Sequence, residues 1–271
     1  MKVILYSIRV RKTANYFLLI GLMLLLVNCR SNIPKTYPDG TILENTTWKV
    51  PLKDSVNILS IKNGIWELPE IEETYDYKKK YTYFRNPQIN KYKELLGKID
   101  QEEVSSSDTN VVLFYRIDNN GRSLVGYSNP DTTKPLTIFD PPVIIQPAEY
   151  NEPIVSSSLM KTWNGNKLDQ GLKTTVSITP KEKGSYIDES GQTKKLNLYI
   201  LTITHDEIIQ YGDNNLIVPD AFSLSSNILA EDNGKFLLEW GIRSARTNKT
   251  EEYESTPDSL YIEITNYKLL E

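Results

Sequence analysis

Four Asn-Gly pairs punctuate this chain: Asn63-Gly64, Asn120-Gly121, Asn164-Gly165 and Asn233-Gly234. A two-residue type I′ turn needs positive φ at both central residues, which Asn and Gly supply most cheaply. Three of the pairs stand between apolar runs: VNILSIK and IWEL, VVLFYRID and SLVGY, FSLSSNIL and FLLEWGI. The fourth follows SLMKTW and opens a longer loop towards LKTTVSIT. A chain so punctuated folds by pairing neighbouring segments antiparallel.

Alternation around these turns supports strands. Phe236, Leu238, Trp240 and Ile242 share one parity, with Lys235, Glu239 and Arg243 on the other. Leu260, Ile262 and Ile264 likewise oppose Tyr261, Glu263 and Thr265. LNLYILTITH at 196–205 is apolar on both parities and is expected to be covered on both faces. YDYKKKYTYF places Tyr75, Tyr77, Tyr81 and Tyr83 on one side with Lys79. Pro135, Pro141, Pro142 and Pro147 bracket LTIF and VIIQ, which therefore read as edge or bent strands. One helix is predicted near 87–99, where Asn86-Pro87 starts a run with Ile89, Tyr92, Leu95, Leu96 and Ile99 at helical spacing. The fold expected is mainly β, an antiparallel sandwich or half-open barrel of roughly 10 to 12 strands with that one short helix.

Residues 17–32, FLLIGLMLLLVNCRSN, settle a different question. The apolar run Phe17–Val27 has 11 residues, and a membrane-crossing helix needs about 20. Lys2, Arg9, Arg11 and Lys12 precede it, and the first acidic residue is Asp39. That is the layout of an export signal. Leu26, Val27, Asn28 and Cys29 resemble the bacterial lipobox, with Asn28 where Gly, Ala or Ser is usual. The resemblance implies cleavage between Asn28 and Cys29, a diacylglycerol on the Cys29 thiol and a further palmitate-type chain on the new amine. Arg30 follows, not the Asp that holds enteric-type lipoproteins at the inner membrane, so the resemblance points to the outer membrane of a diderm bacterium. Residues 1–28 then read as a lipoprotein signal peptide, 29–47 as a lipidated N-terminus and flexible tether, and 48–271 as a single β-rich domain. From 111 onward, YRIDNNGRSLVGY, FDPPVIIQP, MKTWNG, LIVPDAF and GKFLLEWGIRS resemble the layout of small bacterial envelope β domains of unknown function.

Removal of residues 1–28 takes four of the 31 basic side chains and none of the 35 acidic ones, leaving 27 against 35 and a formal charge of −8. Such a surface opposes binding to nucleic acid, whose affinity rests on neutralised phosphates. Cys29 is the one cysteine, so no intramolecular disulfide forms. His205 is the one histidine, which excludes multi-histidine zinc sites. There is no G-x-S-x-G elbow, Walker sequence or G-x-G-x-x-G, so no triad or nucleotide cofactor is supported. Asp118-Asn119-Asn120-Gly121 is read as a hairpin turn, not a calcium loop, because the alternating acidic ligands are missing. No cofactor or metal is expected.

Two chemistries stay open on the residues alone. Aromatic side chains of Tyr75, Tyr77, Tyr81, Tyr83 and Trp163 form a ligand surface suited to glycan rings, although aromatics also serve ordinary sheet packing. Glu70, Glu72, Glu73 and Asp76 supply carboxylates for a polysaccharide hydrolase if two of them face across a cleft. The function expected is a lipid-anchored cell-envelope protein with a non-catalytic β domain for binding or scaffolding. Its partners would be the membrane, through the N-terminal lipid, and a protein or glycan. A glycan-binding module, a polysaccharide hydrolase and an apolar-ligand (lipid) carrier are the alternatives.

Overall fold

Neighbouring segments do pair, and they pair all the way round. The computed structural model describes residues 36–51, 58–69, 77–84, 92–105, 111–129, 133, 135–211, 214–244 and 260–270. After β1 (Ile42–Pro51) comes a small hairpin, β2 (Ser60–Lys62) and β3 (Ile65–Glu67). The chain continues through β4 (Tyr77–Phe84), α1 (Lys93–Leu96), β5 (Gln101–Ser105), β6 (Val112–Asp118) and β7 (Gly121–Ser128). Next are β8 (Leu136–Pro147), β9 (Ile154–Trp163), β10 (Leu172–Ile187) and β11 (Thr193–Tyr211). β12 (Asn214–Glu231), β13 (Phe236–Ser244) and β14 (Leu260–Leu270) complete it.

Leaving aside β2 and β3, each strand pairs antiparallel with the next, and β14 returns to β1 with Ile42 opposite Leu270 and Thr47 opposite Thr265. The result is a closed barrel of 12 strands, not the sandwich expected as one alternative, and closed where the other was half-open. Closure satisfies the ladder groups that an open sheet leaves exposed at its edges. Register shifts at Phe114/Tyr115, Leu124/Gly126, Pro180/Glu182 and Leu229/Ala230 supply the local bends that curl the sheet.

Parity along the ladders assigns each side chain to the lumen or to the outside. The lumen between β8 and β13 is mainly apolar: Ile178, Tyr199, Ile228 and Ala230 cluster with Tyr150, and Val176 with Phe139 and Val143, while Ser158, Thr174 and Ser226 are buried on the same inward parity. The outside of β9–β12 is rich in hydroxyls, Ser157, Thr175, Ser177, Thr202, Thr204, Ser223 and Ser225, with exposed Val155 and Leu159 beside them on β9. Two outer patches are apolar, and each is covered by an excursion of the chain. The hairpin β2–β3 lays Ile58 and Trp66 over Trp48, Leu196, Leu229, Leu238 and Ile264. Trp66 sits so close to Gly184 that a Cβ there would meet its Cε2 at 2.4 Å. Tyr92 and Leu96, flanking and ending α1, cover Val112, Phe114, Val125, Leu136 and Ile138.

Several expectations change in this frame. Trp240 and Ile242 share one face, as do Ile262 and Ile264; the two segments pair Trp240 with Ile264 and Ile242 with Ile262, and that joint face is outward, under or beside the β2–β3 hairpin. Phe236 parts company with Leu238 at the β12–β13 register shift and turns into the lumen. β11 is covered on both faces only near Leu196 and Leu198; further along, Ile200, Thr202 and Thr204 are half-exposed. LTIF and VIIQ are one strand, β8, bent at Asp140-Pro141-Pro142. Among the described residues the helix is a single turn, Lys93–Leu96, ended by Gly97 at φ 68°; Asn86, Pro87 and Ile89 lie outside them. Asn63 and Gly64 have the expected positive φ of 54° and 76°. At Asn120-Gly121 and Asn233-Gly234 only the glycine does, so those turns use a type I bend closed by a glycine. The first strand starts at Ile42, six residues before the Trp48 read from sequence as the start of the domain, within one compact unit, Ile33–Glu271.

Candidate functional site: a tyrosine-lined mouth

β1, β4 to β7, β13 and β14 enclose a second, polar part of the lumen at the end where β1 begins. Two residues of the predicted tyrosine stripe converge there: Tyr81 and Tyr83 point into the lumen beside Leu43, Asn45, Glu103, Tyr115, Arg122, Phe236 and Tyr267, around a cavity of about 220 Å³. Tyr37, ahead of β1, lies across its mouth with its ring 4.5 Å from that of Tyr83. The Gln101 Nε2 donates to the Tyr37 carbonyl at 3.1 Å, and the Gly40 N–H donates to the Tyr83 carbonyl at 2.9 Å. Residues 36–41, assigned to the tether on sequence, are thus fastened over the barrel.

Arg122 is placed by backbone geometry. Gly121, at φ 126°, approaches β8 so closely that a Cβ would stand 2.2 Å from the Gln146 carbonyl oxygen. The next residue is thereby turned into the lumen, opposite Gln146 and Ile117. The guanidinium carbon lies 5.0 Å from the Tyr37 ring centre, 5.4 Å from Tyr115 and 5.9 Å from Tyr83, an aromatic cage around a cation. Its Nη2 donates to Gln101 Oε1 at 2.9 Å, and Gln101 is fully buried.

Glu103 balances that cation. The Tyr115 hydroxyl donates to Glu103 Oε2 at 3.2 Å. Burial pushes the Glu103 carboxyl above the usual carboxylate range, while the Tyr83 hydroxyl and the Arg122 charge pull it back. Burial and the Glu103 charge raise Tyr83 and Tyr115 well above the ordinary phenol value, so both stay hydroxyl donors. Across the cavity Tyr267 donates to Glu239 Oε2 at 2.6 Å, and burial and the Glu239 charge raise it too. Glu239 Oε1 is 3.7 Å from Arg243 Nη2, which donates to Ser226 Oγ at 2.8 Å. Asn45 Oδ1 is buried at the cavity with no hydrogen-bond partner among the described residues.

The other sequence-predicted residues are dispersed. Tyr77 is in β4 opposite Thr47. Trp163 ends β9 on the outer face, half-buried, its ring 5.6 Å from Tyr92 in an edge-on contact. Asn28, Cys29, Glu70, Glu72, Glu73, Tyr75 and Asp76 lie outside the described residues. His205 stacks on Phe222 at 4.4 Å beside the register shift at Asp206. Asp118 Oδ1 accepts the Asn120 N–H at 2.8 Å, closing a turn. Among the described residues no three His, Cys, Asp or Glu side chains gather around a point that suits a metal ion.

Sequence reasoning missed Glu103, Arg122 and Asn45. Each is a polar residue among polar neighbours, and only pairing across the barrel brings them together. A second depression, about 480 Å³, lies outside the barrel between the β2–β3 hairpin and β11–β14, lined by Leu59, Ile61, Trp66, Leu198, Trp240 and Ile242. No protein-family model matches the chain, and no curated protein or solved structure does so either.

Proposed function

We propose that this chain is a lipid-anchored protein of the cell envelope whose barrel is a non-catalytic binding module, with the tyrosine-lined mouth as its binding site. The observation that carries the reading is the cavity itself. Ligand sites combine apolar and aromatic walls with a few placed polar groups, and here Tyr81, Tyr83, Phe236 and Tyr267 meet Asn45, Glu103 and Arg122 around about 220 Å³. The predicted glycan surface becomes an enclosed site, because Tyr81 and Tyr83 face inward instead of forming an outer platform.

The lipobox-like Leu26-Val27-Asn28-Cys29 supports the anchor and the outer membrane of a diderm bacterium as its place. One acyl chain binds membranes only marginally, whereas two or three hold a protein in place. Among the described residues no helix is long and apolar enough to cross a membrane. A barrel that crossed with its strands would present an apolar band to lipid. On β9–β12 the outward Ser157, Thr175, Ser177, Thr202, Thr204, Ser223 and Ser225 outnumber the exposed Val155 and Leu159, which favours water over lipid on that face.

The test is a crystal soak of the processed protein, purified in detergent, with small single-ring probes, phenol first. Density for a probe among Tyr81, Tyr83 and Phe236 is expected. Failure of every neutral, anionic and cationic ring to enter would overturn the reading.

A further inference from the structure

We infer that the mouth takes one neutral, hydroxylated ring of monosaccharide size, which donates to Asn45 and Glu103 and lies against the tyrosine rings. The inference rests on the reading of the mouth as a binding site and specifies its ligand class. Size comes first. Pockets for drug-sized molecules run to about 300–1,000 Å³, and about 220 Å³ leaves space for one ring with small substituents.

Charge comes second. Charges of both signs are already present: Glu103 and Arg122 line the same cavity, the Arg122 charge acting on the Glu103 carboxyl, and Glu239, which holds the lining Tyr267, lies 3.7 Å from Arg243. The aromatic cage of Tyr37, Tyr83 and Tyr115 is filled by Arg122, a cation of the chain's own. A charged ligand would bring an unmatched charge into a desolvated site, which is costly. A neutral one meets no such cost.

Polarity comes third. Asn45 Oδ1 is a buried acceptor, and Glu103 is an acceptor whose known donors are Tyr83 and Tyr115. Both call for O–H or N–H donors on the ligand. Tyr81, Tyr267, Phe236, Leu43 and Ile145 supply flat or apolar faces around them. A ring with hydroxyls at its rim and C–H faces satisfies both sets.

The experiment is a titration of the ¹⁵N-labelled processed protein in detergent, followed by amide shifts. The probes are glucose, galactose, N-acetylglucosamine, myo-inositol, phenol, benzoate and benzylamine. Saturable shifts at Leu43–Asn45 and Tyr81–Tyr83 are expected with at least one of the four polyols. Benzoate and benzylamine should bind at least about 10-fold more weakly, and Asn45→Leu should weaken the polyol by about 10-fold or more. Asn45→Ala serves where the leucine variant fails to fold. Phenol without any polyol would overturn the ligand class and leave the mouth a binding site. No response to any probe would mean a mouth that holds only water, about seven molecules at ~30 Å³ each, and both readings would fall. Tighter binding of benzoate, or Asn45 variants of unchanged affinity, would also overturn the class.

Discussion

Replacing Arg122 with Met should destabilise the barrel by an amount that grows with pH. The Met side chain follows the Arg stem as far as Nε, so the variant loses the cation and leaves a small void between the rings of Tyr37, Tyr83 and Tyr115. At any pH the variant forfeits the charge-assisted hydrogen bond to Gln101 Oε1, worth about 1.5–3 kcal/mol, and part of the attraction to three tyrosine faces. At neutral pH it also strands Glu103. Burial already raises that carboxyl above the 4.5 of a free glutamate, and the Arg122 charge is one of the groups holding it down. Without the cation its folded pKa climbs further, and each unit adds about 1.4 kcal/mol. The total near pH 7.5 should reach about 3–5 kcal/mol, the range for a buried charge deprived of its partner.

The sign follows from proton binding. A carboxyl whose folded pKa exceeds its unfolded one holds more protons in the folded state, so unfolding free energy falls as pH rises through that window. The window begins near 4.5 and widens in the variant. Urea unfolding at pH 4.5 and pH 7.5 measures it, with Glu103→Gln as the background in which the pH dependence of the Arg122→Met cost should vanish. In thermal melts the neutral-pH loss corresponds to about 6–20 °C for a chain of this size. A cost below about 1 kcal/mol, one that does not change with pH, or one larger in acid would refute this account of the site.

Gly184→Val should displace Trp66, whose Cε2 would lie 2.4 Å from the new Cβ, and cost about 3–5 kcal/mol, as loss of a buried tryptophan does. Acrylamide quenching should rise, and Trp66→Ala should add little further cost; additive losses would mean that the hairpin does not dock there. Gly121→Ala combines a φ of 126° with a Cβ 2.2 Å from a backbone oxygen, so it should lose about 1–3 kcal/mol or more and shift the Arg122 side-chain resonances. Gly64→Ala, at a positive φ with open space around it, should cost only about 1 kcal/mol, measured by the same urea titration.

What sequence made legible was periodicity, and what it hid was the side on which each period lands. Leu260, Ile262 and Ile264 were read correctly as one face of a strand. That the face is outward depends on the β2–β3 hairpin arriving to cover it, and on β14 closing against β1 from the far end of the chain. Neither is a local property. The same limit applies to the tyrosine stripe. Tyr81 and Tyr83 share a parity in the sequence, but only the pairing of Tyr81 with Leu43 and of Tyr83 with Glu103 shows that this parity faces the lumen. Glu103 and Arg122 carried no local signal: EEVS has no marked period, and Arg122 stands between the turn glycine and the apolar run SLVGY. At Asn120-Gly121 the turn residues were right and the turn type wrong, because the glycine alone supplies positive φ.

The most direct test of the central claim, a barrel tethered to the envelope by lipid, is the intact mass of the protein extracted from its own membranes, beside a Cys29→Ser variant. The extracted chain should begin at Cys29 and carry diacylglycerol with a further acyl group, and the variant should lack both. A free Cys29 thiol, or a chain that retains residues 1–28, would contradict it.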